Sequence, residues 1–169
     1  MTRKVIWLVI AVVVAGGVLA GKLLATPASG FSGATLATAR FDELDIKAST
    51  IPADVWQARL KTQGLSDIYV QSNLWQPGGS TGWHTHPGPS LIMVTSGTIT
   101  TYDGDDPTCT PHVYSAAIPG QNSFVDIGGG DVHLVRNETT GTATAIAVQM
   151  IPAGAIRRVD APAPGNCPF

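Results

Sequence analysis

The chain has 169 residues, of which 44% are hydrophobic and only 13% charged, with 19 glycines, 12 prolines and a net charge of −2. A charged share about half the usual one, beside raised Gly and Pro, excludes a coiled coil, a long helical bundle and a disordered charged tail. No basic run follows the first few residues, so a nucleic-acid footprint is absent as well.

Arg3 and Lys4 precede an apolar run over residues 5–20 that only Gly16 and Gly17 interrupt, and Lys22 and small residues follow. A basic start, an apolar stretch and then small residues read as a secretory signal over residues 1–28. An uncleaved N-terminal anchor is the other reading, because no clean A-x-A site is present. A buried core helix does not fit, since the segment has no polar face. Under both readings the two basic residues stay in the cytoplasm and everything from about residue 29 is exported. The protein is then secreted or held at the outer face of the cell membrane, and touches the membrane only through this segment. Removing residues 1–28 takes three basic residues and no acid, which moves the net charge from −2 to −5.

Cys109 and Cys167 both fall in the exported part. An even count in an oxidising compartment reads as one disulfide, tying the extreme C-terminus to the body. Two unrelated thiols fit that compartment less well, and no C-x-x-C spacing suggests a metal pair.

Residues 26–35 consist of small residues without periodicity and are expected to form a flexible spacer, within a linker and N-terminal extension over 29–64. Residues 36–47 could be a strand or a short helix. Asp54 could cap a short helix leading to Leu65. From Asp67 the pattern has period two: Ile68, Val70, Ser72 and Leu74 alternate with Tyr69, Gln71, Asn73 and Trp75, until Pro77-Gly78-Gly79 stops the strand. The β-rich runs 91–95 and 98–102, joined at Ser96-Gly97, predict a hairpin. Residues 103–107 form an acidic turn, read as solvated turn chemistry ahead of a calcium loop of poor spacing. Further strands are expected at 112–116, 123–126, 132–136 and 143–151. Pro162, Pro164 and Pro168 mark a tail over 156–169 that wraps the surface. Short strands between Gly/Pro turns predict an all-β fold, a single antiparallel barrel or sandwich.

Only four histidines occur: His84, His86, His112 and His133. Residues two apart in a strand point to the same side, so His84 and His86 project together as half of a metal site. Alternation also puts Asp131, His133, Val135 and Asn137 on one face. If the inner faces meet inside a barrel, His133 approaches the H-x-H pair.

These residues resemble the cupin superfamily. Its first motif, G-x5-H-x-H-x3-4-E-x6-G, is matched by Gly78, His84, His86 and Gly97, with Ser90 at the glutamate position. Its second, G-x5-P-x-G-x2-H-x3-N, is matched by Gly130, His133 and Asn137, with Gly128 at the proline and Asn122 at the first glycine. Trp83-His-Thr-His-Pro-Gly-Pro89, Val135-Arg-Asn137 and Pro-Gly-Asn-Cys167 look like small exported bacterial cupins. The resemblance covers roughly residues 65–155 and implies an antiparallel jelly-roll barrel there. It also implies one divalent metal (Fe, Mn, Zn or Ni) on His84, His86 and His133, a small-molecule ligand and, in many relatives, a homodimer.

Without the glutamate, three imidazoles add no negative charge, so a bound ion would keep its full +2 and more open positions. Three-histidine cupins of the thiol dioxygenase kind use iron in this way. Ser90 could add a hydroxyl or hold a water, and Asp131 could orient a ring or act as an acid/base; a turn carboxylate is the plainer role for Asp131. A metal-free barrel whose histidines only line a pocket is the competing expectation. His112 lies outside both motifs and reads as a rim residue. Trp83 is expected to pack outside the sheet, with Trp75, Ile92, Val94 and Phe124 in the core. Tyr102 and Tyr114 could line a pocket mouth, and Arg136 points away from His133 as an ion-pair partner. The implied function is that of a metal-binding cupin acting as a small-molecule dioxygenase or isomerase, with a non-catalytic binding module as the alternative.

Overall fold

The computed structural model describes residues 25–51 and 55–169. The signal or anchor expected at the N-terminus, up to residue 24, and Asp54 as a helix cap lie outside the described residues. Among the described residues no helix is long and apolar enough to cross a membrane.

Among the described residues there are twelve strands: β1 (Ser29–Phe41), β2 (Asp45–Ser49), β3 (Gln57–Lys61), β4 (Ser66–Ser80), β5 (His84–Thr85), β6 (Ser90–Ser96), β7 (Thr98–Asp103), β8 (His112–Ser115), β9 (Ser123–Asp126), β10 (His133–Arg136), β11 (Ala143–Pro152) and β12 (Val159–Asp160). Ten of them form one antiparallel sheet; β2 and β3 form a separate exposed hairpin. The large sheet bends into two halves. One runs β1-β4-β11-β6-β9, the other β12-β5-β10-β7-β8, and they join where Arg136 of β10 pairs with Ser80 of β4. This nearly closed antiparallel barrel is the all-β fold that the period-two pattern and the turn spacing predict.

The core lies between the halves. Trp75, Ile92, Val94, Ala143, Ala145 and Ala147 come from one half and Ile99 and Val135 from the other. Each large apolar side chain buried here contributes roughly 1.5–3 kcal/mol. Along β11 every second residue is buried, from Ala143 to Ile151. Three of those positions are alanine, so the inner wall is thin there and leaves space for a cavity. A second cluster, Trp83, Tyr102, Leu134 and Ala161, packs on the outer face of the other half beneath Cys109 and Cys167. Trp83 and Leu134 alternate with His84 and His133, which is why the histidines point inward.

Four local expectations differ from the structure. The expected spacer is instead part of the sheet: β1 pairs with β4 from Ser29↔Ser80 to Phe41↔Ser66, and Phe31 packs on Trp75 with ring centroids 5.0 Å apart. Pairing supplies the order that this small-residue sequence lacks, and it covers an edge of β4 that would otherwise stay open. Thr26 is tied down too, accepting from the Trp83 N–H at 2.6 Å and donating its own N–H to the Ala161 carbonyl at 3.1 Å. The short helix expected before Leu65 is the strand β3, held by β2.

β4 does not stop at Pro77 but runs to Ser80. Its ladder with β11 ends at Trp75, so the missing proline N–H breaks no bond of that ladder. Beyond it, Gly78 and Gly79 exchange backbone bonds with Asn137. Finally, β6 and β7 do not form a hairpin. β6 pairs with β11 and β9, whereas β7 pairs with β10 and β8, so Ser96-Gly97 is a corner between the two halves.

Candidate metal centre

β5 and β10 are neighbours, and His84 and His133 are direct partners in their ladder. Their rings lie 4.3 Å apart, centroid to centroid; His86 lies 4.9 Å from His84 and 5.5 Å from His133. The ligand nitrogens of all three fall within 4.8 Å of one another, so the structure gathers the three histidines into one cluster. His84 and His133 are buried and His86 is half-buried.

Each ring is aimed by a backbone carbonyl. His84 Nδ1 meets Gly82 O at 2.9 Å, His86 Nδ1 meets Arg157 O at 2.6 Å, and His133 Nδ1 meets Asp131 O at 3.4 Å. A carbonyl only accepts, so each Nδ1 is a protonated nitrogen of its ring, and Nε2 is the nitrogen through which a neutral ring would bind an ion. Burial first, then the neighbouring imidazoles and Arg158, push His84 down to about 2. Burial also holds His86 below its ordinary value. Three clustered imidazoles whose Nδ1 protons are held by carbonyls are a donor set that a divalent metal can use, so these residues fit one.

The cluster forms the polar end of a cavity of about 230 Å³. Ser90 and Asp126 line it too, with Gln71, Asn73, Gln149 and Arg157 as further polar wall, and Trp75, Ile92, Phe124 and Val135 supply apolar wall, so Trp75, Ile92 and Phe124, expected only in the core, also face the cavity. Asp126 is the residue that sequence reasoning missed. Its Oδ2 lies 3.5 Å from His86 Nε2 and 3.7 Å from His133 Nε2, so the three rings do not stand without a negative partner. The only signal in the sequence was a lone acid ending a predicted strand.

Asp131 orients His133, but through its main-chain carbonyl and not its carboxylate. Its side chain joins a second cluster with Asp126 and His133, and burial raises its pKa above the ordinary carboxylate range. His112 lies outside the three-ring cluster, on the rim, with Nε2 3.6 Å from Asp103 Oδ2. Tyr102 does not line the cavity mouth: it is buried in the outer cluster and donates to Glu138 at 2.9 Å. Arg136 turns away from the rings, toward Glu138 at 3.7 Å and over the Phe169 ring. In the acidic turn Asp106 accepts from Thr108 and Thr110, which is turn chemistry. The Cys109–Cys167 disulfide is formed.

No family model matches the chain, and no curated protein matches it. Among solved structures it is similar to peruvianin-I, a cysteine peptidase from Thevetia peruviana latex, at 25% identity and a TM-score of 0.44, over 57% of this chain and 56% of that one. The chain therefore spans little more than half the length of that relative. It is also similar to the polyketide cyclase RemF from Streptomyces resistomycificus, at 15% identity and a TM-score of 0.47, over 82% of this chain and 78% of that one. A cupin superfamily protein from Desulfitobacterium hafniense is similar at 12% identity and a TM-score of 0.41, over 50% of this chain and 67% of that one.

Proposed function

We propose that this chain is a small exported cupin that binds one divalent metal ion through His84, His86 and His133 and oxidises or isomerises a small molecule in the adjoining cavity. The observation that carries this reading is the convergence of three imidazoles, each with Nδ1 held by a backbone carbonyl, on one cavity that has both apolar and polar walls. A bound iron would supply dioxygen chemistry, and manganese, nickel or zinc Lewis-acid polarisation. The chain's own part is to hold the rings in one tautomer and to exclude bulk water with Trp75, Phe124 and Val135. The disulfide fits an oxidising compartment, which supports export.

Elemental analysis of the protein purified from the exported fraction is expected to find about one divalent metal per chain, lost in His84→Ala. Oxygen consumption with iron restored, across a panel of thiols and phenols, then tests oxidation, and product analysis tests isomerisation. A protein that holds metal but turns over none of the panel is the binding module instead. Unchanged metal content in a folded His84→Ala variant removes the site.

A further inference from the structure

We propose that Asp126 is the fourth ligand of this centre, supplied from the neighbouring strand in place of the glutamate that the cupin motif would put at Ser90. The inference rests on the metal reading of the three histidines. Ser90 on β6 and Asp126 on β9 are direct partners in the antiparallel ladder. Both line the histidine end of the same cavity. Facing residues in such a pair have Cβ atoms only about 4.5–5.5 Å apart, so a carboxylate can change strands and still reach the same point.

The two oxygens of Asp126 have different surroundings. Oδ1 accepts the Gly128 N–H at 2.8 Å. Oδ2 is shut off from solvent and has no hydrogen-bond partner, yet it faces His86 Nε2 and His133 Nε2. With the Nδ1 protons held by carbonyls, this oxygen and the two Nε2 atoms face one another without a hydrogen bond among them. A buried acceptor without a donor is destabilising, and a cation satisfies all three at once. The separations of 3.5 and 3.7 Å are too long for hydrogen bonds. They are close to the donor–donor spacing of about 3.4 Å around a four-coordinate ion with bonds of about 2.1 Å.

Gly128 gives independent support. It occupies the place of the motif's proline, which has no N–H to offer. Here the Gly128 N–H holds Asp126. Its φ of 64° lies outside the range of proline, and a Cβ on it would collide with the Gly88 carbonyl oxygen. Two of the three departures from the motifs, those at 90 and 128, therefore have one explanation: the carboxylate has moved and the glycine secures it. The bound ion would then see three neutral rings and one negative charge, leaving a net +1 where the sequence suggested +2.

Cobalt(II) titration of the disulfide-bonded protein tests this, with calorimetry for affinity and the visible spectrum for coordination. Asp126→Asn keeps the side-chain shape and an acceptor for Gly128, so a merely structural role predicts no change. As a ligand change it is expected to weaken cobalt binding by at least about 100-fold and to alter the spectrum, since even the partners of ligands are worth about 10–100-fold. Adding Ser90→Glu to Asp126→Asn is expected to restore most of the affinity. Should Asp126→Asn fail to fold, Asp126→Cys is read instead, and a thiolate-to-cobalt charge-transfer band is expected. Wild-type affinity and spectrum in Asp126→Asn, or a folded Asp126→Cys without that band, overturns the proposal. If the wild-type protein itself binds no cobalt, the metal reading of the three histidines is what falls.

Discussion

Asp67 joins three parts of the chain at a single carboxylate. It accepts from Arg40 Nε at 2.7 Å, Arg40 Nη2 at 2.9 Å and the Gly154 N–H at 2.8 Å, linking β1, β4 and the turn after β11. These bonds, that to Arg40 first, lower its pKa to about 2. A carboxylate whose pKa is depressed on folding contributes stability that is complete above its unfolded value of about 3.9 and lost as pH falls through the folded value. Urea midpoints of the wild type are therefore expected to fall between about pH 4 and pH 2, with a shallower fall in Asp67→Asn. Parallel profiles would remove Asp67 from the acid response. Asn137 plays a comparable linking role without charge, donating to the carbonyls of Trp75, Gln76 and Gly141 while its Oδ1 accepts from Thr139. At this scale the histidines were legible because H-x-H fixes a common side in any extended strand. Asp126 was not, because which residue faces Ser90 depends on how β9 lies against β6, and no local pattern states that.

Strand identity was easier to read than strand partnership. β4, β8, β9, β10 and β11 all fall close to their predicted places. The β6–β7 connection misled because a tight turn between two β-rich runs has the same composition in a hairpin and at a barrel corner. The structure separates the two through Gly97. Its φ is 70°, and a Cβ there would lie 2.5 Å from the Thr142 carbonyl oxygen. Gly97→Ala must therefore strain the backbone, at about 1–3 kcal/mol, and also displace the β11 approach. Urea unfolding is expected to show a loss at the upper end of that range; a change below about 0.5 kcal/mol, typical of an ordinary surface site, would mean that the corner is not fixed here. β1 was illegible for the opposite reason. Glycine, serine, alanine and threonine give it no apolar period, so its order comes from Phe31 on Trp75 and Arg40 on Asp67, both contacts across the sheet.

The whole molecule is closed by its last residues. β12 pairs with β5, Asn166 donates to the carbonyls of Asp103 and Asp106, and Cys167 is bonded to Cys109 over the outer cluster. The sequence separation is 58 residues, for which the chain-entropy treatment gives about 4 kcal/mol of stabilisation. Reduction, or paired Cys→Ser substitution, is expected to lower the unfolding free energy by an amount of that order, read by urea unfolding with and without reductant. Identical curves would show that the tail's non-covalent contacts are sufficient.

The carbonyl that aims His86 belongs to Arg157, just before β12. Because a polypeptide is made from its amino end, that carbonyl arrives 71 residues after the imidazole it steers. The cation trap therefore cannot be complete before the segment around Arg157 has docked. If the chain is exported as proposed, the ion is drawn from the supply outside, and that supply, together with the donor set, decides which element it carries.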